Sequence, residues 1–393
     1  MFTQFARFSR FSQFCLVAVL AVSFSLSASF GASTTALASD DVIRLGVPGA
    51  HTGDLAGYGI PALNAARLVV DEYNANGGIL GKQIEIVAID DQCRPDLSTN
   101  AANKAISEGL TIIMGHTCSG PTKAVMPRYT EKKIVVVSPS ATSPDLTQSG
   151  KFPYFFRTTP SDDAQARLGA DFAIQQLKAQ KIAILHDKGD YGKGYAEFIR
   201  QFVKEDGRAK VVFFEGITPG AVDYSSVIQK IQRTGADALI FGGYYPEASK
   251  LVALIKQRNM EINFISEDGV RTQSFIELAG ENAEGVYASS SKDVSELELT
   301  KKAFADHLAK FNSQPGQFFE QACAATKALL NAVEKAGTVT DTDAIAKALR
   351  TEYVETTLGN IRFDEKGDME GAGFAMYRVT DGAFKDQNFT PEQ

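Results

Sequence analysis

The sequence is poor in the residues from which metal sites and nucleophilic sites are usually built. Only four of its 393 residues are histidine and only four are cysteine. The histidines are widely dispersed, at His51, His116, His186 and His307, and neither an HExxH nor a CxxC motif occurs. A zinc site needs three or four such ligands at suitable spacing, so we expect neither a metal site nor a cofactor.

Long apolar runs are missing from all but the N-terminal segment. There, the run LVAVLAVSFSL (residues 16–26) follows Arg7 and Arg10 and precedes a small-x-small pattern at residues 36–38. This order is typical of a secretory signal peptide, and about 11 residues are too few for the roughly 20 that span a bilayer. We predict a signal peptide over residues 1–38, cleaved near Ala38, and a periplasmic location. A membrane anchor is the less favoured alternative, and Cys15, which precedes the run, is a poor lipoprotein site.

Positive charge is also in short supply. Lysine and arginine number 40 against 47 acidic residues, a formal net charge of −7, and loss of the two arginines of residues 1–38 takes it to −9. Because nucleic-acid binding needs a basic surface, the composition argues against it.

Three cysteines remain after residue 38, and in an oxidising compartment they indicate one disulfide and one leftover thiol. Cys93 and Cys118 both flank strand-like runs of one region and are the favoured pair. Cys323 lies in an Ala/Leu-rich helical pattern, where we expect it to be buried and inert.

Apolar strand-like runs alternate with helical patterns along most of the chain, in one series over residues 42–139 and a second over about 156–291. Such alternation predicts parallel sheets covered by helices on both faces, and two series predict two α/β lobes. Three helical stretches follow up to about Glu352, and FAMYRV (374–379) reads as a final strand. No low-complexity linker separates the halves, so short crossings are expected to join them.

The stretch GHTCSGPT (115–122) holds a histidine, a cysteine and a serine, but its chemistry as a nucleophile is weak. Ser119 lacks the first glycine of a GxSxG elbow, and His116 is no specific partner at this spacing. The partial fingerprint GKGYAEF has Glu197 where a third glycine belongs, so dinucleotide binding is also disfavoured.

Polar loops follow the predicted strands, and in open α/β sheets ligands bind at that edge. GHTCSGPT leads into a helix predicted from about Lys123, and SPSATSPDLT follows the next strand; both offer hydroxyls and N–H groups near a helix start, which suits an anion such as a carboxylate. HDKGDYG, GGYYPE and SEDGV offer tyrosines and carboxylates in the second series. The first of them precedes a helix predicted over about 194–205. Together they suit a zwitterion with an apolar side chain.

These loops in this order resemble the periplasmic leucine/isoleucine/valine-binding protein family, the receptors of branched-chain amino acid ABC transporters. The likeness covers nearly all of the chain after residue 38 and includes NANGGILGKQIEIVAIDDQCRPD, GHTCSGPT, FRTT, FGGYYPE and FDEKGD. It implies a two-lobed, Venus-flytrap fold of Rossmann-like lobes with parallel sheets flanked by helices and three hinge crossings. We expect residues 39–157 plus 289–362 to form lobe 1 and residues 158–288 plus 363–393 to form lobe 2.

The resemblance also implies how a ligand's charged ends are bound. Ser119 matches the serine that binds the α-carboxylate, and Thr142 the threonine that reaches both the carboxylate and the ammonium. Ser140 matches a small residue whose carbonyl accepts from the ammonium, and its hydroxyl is extra. Asp268 matches the acid that pairs with the ammonium, which is a glutamate in the leucine-type receptors.

The remaining matches concern the ligand's side chain and the fold. Three tyrosines that would line and close the cleft are Tyr58, Tyr191 and Tyr244. Thr117 stands where those receptors have leucine, which implies a smaller or more polar wall. Cys93 and Cys118 match the family disulfide.

We therefore expect a non-enzymatic, monomeric receptor that captures a branched-chain or other apolar amino acid and delivers it to the permease of an ABC importer. The alternatives are a receptor of the same fold for an aromatic acid, an amide or another small carboxylate, and, less favoured, the sensor domain of a signalling receptor or an enzyme.

Overall fold

The computed structural model describes residues 42–392. The predicted signal peptide at residues 1–38 lies outside the described residues. Within the described part, no helix has both the length and the apolar character needed to cross a membrane.

The first sheet has five parallel strands in the order β2-β1-β3-β4-β5. Its strands are β1 (Val42–Gly49), β2 (Gln83–Asp90), β3 (Ile112–Met114), β4 (Val135–Ser138) and β5 (Phe155–Arg157).

The second sheet has seven strands in the order β14-β13-β10-β9-β8-β6-β7. Its strands are β6 (Lys181–His186), β7 (Lys210–Gly216), β8 (Ala238–Gly242), β9 (Asn263–Ser266), β10 (Tyr287–Ser291), β13 (Phe374–Thr380) and β14 (Ala383–Asp386). The first five are parallel, whereas β13 pairs antiparallel with both β10 and β14. The expected parallel sheets are thus present in both halves, and the second sheet has in addition an antiparallel edge formed by β13 and β14.

Twelve α-helices among residues 42–392 cover the sheets. They are α1 (Ala56–Ala75), α2 (Pro95–Ser107), α3 (Ser119–Glu131), α4 (Asp145–Gln148), α5 (Asp162–Asp171), α6 (Asp190–Asp206), α7 (Ser225–Thr234), α8 (Tyr245–Gln257), α9 (Gln273–Ala279), α10 (Glu298–Phe311), α11 (Phe319–Ala336) and α12 (Thr342–Thr351). A π-helical turn (Phe172–Gln176) continues α5, a 3₁₀ turn (Gly280–Ala283) follows α9, and a small hairpin is formed by β11 (Val354–Thr356) and β12 (Gly359–Ile361).

The central strands read as continuous apolar runs because both of their faces are buried. Successive side chains of a strand point to opposite faces. In β4, Val135 and Val137 pack towards α1, α11 and α12, whereas Val136 packs towards α2 and α3. In β6, Ile184 faces α5 and α6 and Leu185 faces α7 and α8. Each sheet therefore lies between two layers of helices.

The predicted pairing of Cys93 with Cys118 and the predicted burial of Cys323 are confirmed. Cys93 and Cys118 form a disulfide with 5.5 Å between their Cα atoms. Cys323 is free and buried in α11, and burial raises the pKa of its thiol well above the ordinary value.

Candidate functional site

The strand order locates the candidate site. In the order β2-β1-β3-β4-β5 the direction of winding reverses between β1 and β3, and ligands of open α/β sheets bind outside the carboxyl ends of the strands at such a point. The parallel part of the second sheet repeats this order, with the reversal between β6 and β8. The polar loops singled out in the sequence follow β3 and β4 in the first sheet and β6, β8 and β9 in the second.

The loop after β3 presents Ser119 at the N-terminus of α3. The helix begins at Ser119, four residues earlier than predicted, because Gly120 and Pro121 are tolerated in a first helical turn, where N–H groups have no partner within the helix. Ser119 is buried, and its hydroxyl accepts a hydrogen bond from the Ser143 N–H at 3.2 Å. The helix end adds a partial positive charge that favours an anion here.

His116 has a structural role in this loop. It is fully buried, its Nδ1 lies 2.5 Å from the Asp91 carboxylate and its Nε2 lies 3.1 Å from the Tyr129 hydroxyl. Asp91 also accepts from the Cys93 N–H at 2.9 Å. The His116–Asp91 and Cys118–Cys93 pairs therefore join the same two segments, at positions two residues apart in each.

The loop after β4 packs beside it and uses the extra hydroxyl of Ser140. That hydroxyl donates to the Thr117 carbonyl at 2.7 Å, so it joins the two loops instead of facing a ligand. Beneath the loop, the fully buried Arg157 donates to the Ser143 carbonyl at 3.0 Å and to the Thr147 hydroxyl at 2.8 Å. We call Thr117, Ser119 and Ser140 the serine end of the site.

Aromatic rings from both halves meet above these loops. Tyr191 and Tyr244 stack with 5.1 Å between ring centroids, and Tyr58 contacts Tyr244 at 5.9 Å and Phe318 at 5.7 Å. Tyr191 lies in the first turn of α6, which begins at Asp190 and not near residue 194 as predicted. Phe318, the residue before α11, was missed by the sequence analysis because the segment around it carries no binding motif.

Asp268 approaches the site from the loop after β9. It is buried, and the Tyr191 hydroxyl donates to its Oδ1 and in turn accepts from the Gly269 N–H at 2.9 Å. Its Oδ2 has no hydrogen-bond partner among the described residues. Burial raises the pKa of Asp268 to about 6, partly offset by the Tyr191 hydrogen bond. Neighbouring Glu267 instead binds the Gly243 N–H at 2.8 Å through its Oε1.

Asp162, in the first turn of α5, is a second buried acid that the sequence analysis missed. Its backbone N–H donates to the Thr142 carbonyl at 3.0 Å, and its side chain is fully buried. Neither carboxyl oxygen has a hydrogen-bond partner among residues 42–392. The signal that could have identified it is the position of SDD just past β5, at the same sheet edge as the other loops. We call Thr142, Asp162 and Asp268 the acidic end of the site.

Seven of the eight predicted site residues line one cavity between the halves. Its lining consists of Tyr58, Thr117, Cys118, Ser119, Ser140, Tyr191, Tyr244, Asp268, Gly269 and Phe318. Thr142 is the exception, since it lies fully buried beside Asp162 and outside this lining. The free volume is only about 10 Å³, room for roughly one water molecule. A wider groove of about 1070 Å³ adjoins it and shares Tyr191 and Tyr244.

Direct contacts between the halves close the cavity. The Tyr58 hydroxyl of α1 donates to the Gly269 carbonyl, and the Tyr245 hydroxyl of α8 donates to the Asp54 carbonyl. Farther out, Lys123 of α3 lies 2.9 Å from the Asp190 carboxylate of α6. No group of histidine, cysteine and acidic side chains in the described part of the chain is arranged to hold a metal ion.

Two α/β halves that meet over a small polar and aromatic cavity define a two-lobed binding protein. The chain belongs to the periplasmic binding protein family, whose model matches residues 42–383. It is 34% identical to the Leu/Ile/Val-binding protein of Escherichia coli K12 over 345 residues. The aligned region covers 88% of this chain and 92% of that protein.

Two further comparisons agree. The chain is 34% identical over 355 residues to a leucine-, isoleucine-, valine-, threonine- and alanine-binding protein of Pseudomonas aeruginosa, covering 90% of this chain and 94% of the relative. A crystal structure of a leucine-binding protein from Thermotoga maritima superposes with a TM-score of 0.81 at 26% identity, covering 88% of this chain and 97% of the other. The family resemblance drawn from the sequence motifs is confirmed.

Proposed function

We propose that this protein is a periplasmic receptor that captures an apolar α-amino acid, foremost a branched-chain one, and delivers it to the permease of an ABC importer. The relatives named above are named for binding leucine, isoleucine and valine, which supports the ligand class. Their names describe binding proteins, which supports a role without catalysis. Export by cleavage of residues 1–38 and action as a monomer belong to the same proposal.

One observation carries the choice of ligand: the site has chemically opposite ends. The serine end offers hydroxyls and the N-terminus of α3, and no lysine or arginine lines the described cavity. The acidic end offers Oδ2 of Asp268, which accepts no hydrogen bond from the part of the chain that the structure describes. An α-carboxylate suits the first end and an α-ammonium the second, since buried charges are costly unless paired. The rings of Tyr58, Tyr244 and Phe318 are the apolar surface left for a side chain.

Binding requires the halves to separate and close again. A cavity of about 10 Å³ cannot admit an amino acid without opening, and hinge bending is the motion that two-lobed binding proteins use. We assign residues 39–157 plus 289–362 to lobe 1 and residues 158–288 plus 363–393 to lobe 2. The two separate sheets support this division except at residues 289–291, which lie in β10 of the second sheet. The closed form would be the one that the permease recognises.

A thermal-shift panel on the protein lacking residues 1–38 tests the function. The panel contains leucine, isoleucine, valine, threonine and alanine, together with two carboxylates that have no amino group, 4-methylpentanoate and benzoate. We expect the branched-chain amino acids to raise the midpoint of thermal unfolding most. A ligand present at 100 times its Kd stabilises the folded protein by about 2.7 kcal/mol. A rise of the midpoint with 4-methylpentanoate or benzoate, and with none of the amino acids, would instead support a receptor for small carboxylates.

A further inference from the structure

Arg157, the last residue of β5, is a fully buried arginine that lies beneath the serine end of the site. Its Nε donates to the carboxylate of Asp368, whose side chain is 25% exposed. A buried arginine is costly unless its charge is paired and its donors find acceptors. An apolar side chain could fill the same space without that cost. The arginine therefore calls for a role that an apolar side chain would not perform.

The guanidinium group of Arg157 joins three segments of the chain. Its Nη1 donates to the Ser143 carbonyl at 3.0 Å and to the Ala141 carbonyl at 3.4 Å, both in the loop after β4. Its Nη2 donates to the Thr147 hydroxyl of α4 at 2.8 Å. Its Nε reaches Asp368, in the segment between β12 and β13. Because the donors of a guanidinium form a rigid, planar fork, these bonds fix the three segments relative to one another.

The segment that carries Asp368 is itself fixed against β5. The Arg157 N–H donates to the Gly367 carbonyl at 3.0 Å, and Asp364 accepts three backbone N–H bonds from the turn that follows it. Gly367 has a φ of +98°, and a Cβ at this position would lie 2.2 Å from the Phe155 carbonyl. Only glycine permits this conformation and this close approach. Asp368 is therefore a well-defined anchor for the guanidinium group.

The bonds from Arg157 to the loop after β4 lie on either side of a peptide group that contacts Ser119. The guanidinium group holds the carbonyls of Ala141 and Ser143. Between these two carbonyls lies the peptide group whose N–H donates to the Ser119 hydroxyl at 3.2 Å. A hydroxyl that accepts such a bond still has its own proton to donate. A shift of this peptide group would therefore change the direction in which Ser119 donates.

We propose that Arg157 is a positioning residue for ligand binding, which holds the loop after β4 so that the Ser119 hydroxyl is directed at the ligand's carboxylate. Arg157 acts through Ser143 and does not line the described cavity. This role rests on the proposed function, because it needs a ligand whose carboxylate lies at the serine end. It assigns a task to the buried charge that neither lysine nor an apolar residue could perform, since neither has the fork of donors.

A double-mutant cycle between Arg157→Lys and Ser119→Ala tests this role. L-Leucine is titrated calorimetrically into wild type, both single variants and the double variant. Lysine keeps the charge but lacks the fork, so we expect Arg157→Lys alone to weaken binding about 10-fold, the lower end of the range for a hydrogen bond to a charged group. In the Ser119→Ala background the same change should weaken binding less than about 2-fold, because residues that act through one interaction are not additive.

Arg350→Lys is the matched control. Arg350 of α12 donates to the Pro153 carbonyl at 2.6 Å, just before β5, and to the Glu365 carbonyl at 3.3 Å, in the turn that precedes Asp368. It thus joins the same two parts of the chain as Arg157, but none of its hydrogen bonds within residues 42–392 reaches the loop after β4. We therefore expect Arg350→Lys to bind leucine as wild type does.

Asp368→Asn is a second variant for the same cycle, and it is needed if Arg157→Lys does not fold. It removes the anchor of the guanidinium group at a partly exposed position, so it disturbs the interior less. We expect it to weaken leucine binding less than Arg157→Lys does. That loss, too, should disappear in the Ser119→Ala background.

Three results would overturn this role. The first is an equal fold-loss of affinity with and without the Ser119 hydroxyl, which would mean that Arg157 acts on the fold as a whole. The second is unchanged affinity in the folded variants of Arg157 and Asp368. The third is a loss in Arg350→Lys as large as that in Arg157→Lys. All three presuppose that wild type binds leucine, so failure of wild type to bind any amino acid of the panel would contradict the proposed function instead.

Discussion

The two ends of the cavity differ in how completely the protein satisfies its own polar groups. At the serine end, Ser119 accepts from the Ser143 N–H and Ser140 donates to the Thr117 carbonyl. At the acidic end, atoms of Thr142, Asp162 and Asp268 lack partners among the described residues. The protein itself thus satisfies polar groups of the serine end, whereas it leaves these atoms of the acidic end without a hydrogen-bond partner among the described residues. The following variants should affect the two ends differently.

Removing the Cys93–Cys118 disulfide, which holds the loop of the serine end, should have the largest effect. The quantity it lowers is the free energy of unfolding. Cys93→Ser with Cys118→Ser opens a loop with a sequence separation of 25 residues, which in the chain-entropy model costs roughly 3 kcal/mol. Urea unfolding should show this loss. The affinity for leucine should fall less, because the pairing of His116 with Asp91 still holds the loop.

Reduction of the wild-type protein provides the matched control. Dithiothreitol should lower the unfolding midpoint of wild type and of Cys323→Ala by similar amounts, because Cys323 has no disulfide partner within residues 42–392. It should leave the double serine variant unaffected. An unchanged wild-type midpoint in reductant would contradict the disulfide's stabilising role.

Single substitutions at the two ends should both weaken binding but should differ in stability. Ser119→Ala and Asp268→Asn each remove an interaction with a charged ligand group, worth about 1.5–3 kcal/mol of binding free energy. Ser119→Ala also leaves the Ser143 N–H without its acceptor, which should lower the free energy of unfolding by about 1 kcal/mol. Asp268→Asn keeps an acceptor for Tyr191 and removes a buried charge, so unfolding should not become easier.

Titration calorimetry with leucine and urea unfolding of the free variants measure both quantities. Unchanged affinity in both variants would refute the site assignment. Equal losses of stability would refute the contrast between a satisfied and an unsatisfied end while leaving the site in place.

Local patterns were sufficient to predict most of this architecture. Fully buried strands such as β4 must be apolar on both faces, so their continuous apolar runs can be recognised in the sequence. The first residues of helices were harder to predict. Gly120 and Pro121 are typical helix breakers, but the first turn of a helix tolerates them, and α3 begins at Ser119. Strand direction at the edge of the second sheet was not predictable, because an apolar pattern does not encode the direction of pairing.

The site was predicted only where a residue lies within a recognisable loop. Ser119 follows β3 at the reversal point of the first sheet, and Asp268 follows β9, the neighbour of β8 in the second sheet. Their motifs identified them. Phe318 lines the cavity, whereas Asp162 lies outside its lining beside Thr142. Both come from segments without a recognisable binding motif, and only the fold brings them close to the other site residues. The absence of partners for Asp162 is a property of three-dimensional packing, which no spacing along the chain reveals.

The smallest expected effect concerns the outer edge of the cleft, where Lys123 contributes to both halves. It lies 3.0 Å from Asp145 of the first half and 2.9 Å from Asp190 of the second, and its side chain is 28% exposed. Exposed ion pairs contribute about 0–1 kcal/mol and are weakened by salt. Lys123→Met should therefore reduce affinity for leucine by no more than a few-fold, with the loss visible at low salt and small at high salt.

Lys133→Met is the matched control, because Lys133 pairs with Asp343 of α12, which packs on the same first sheet. Titrations at low and high salt should show a reduced salt dependence for Lys123→Met alone. An unaltered salt dependence in that variant would mean that the closed cleft owes its stability to the buried contacts of Tyr58 and Tyr245.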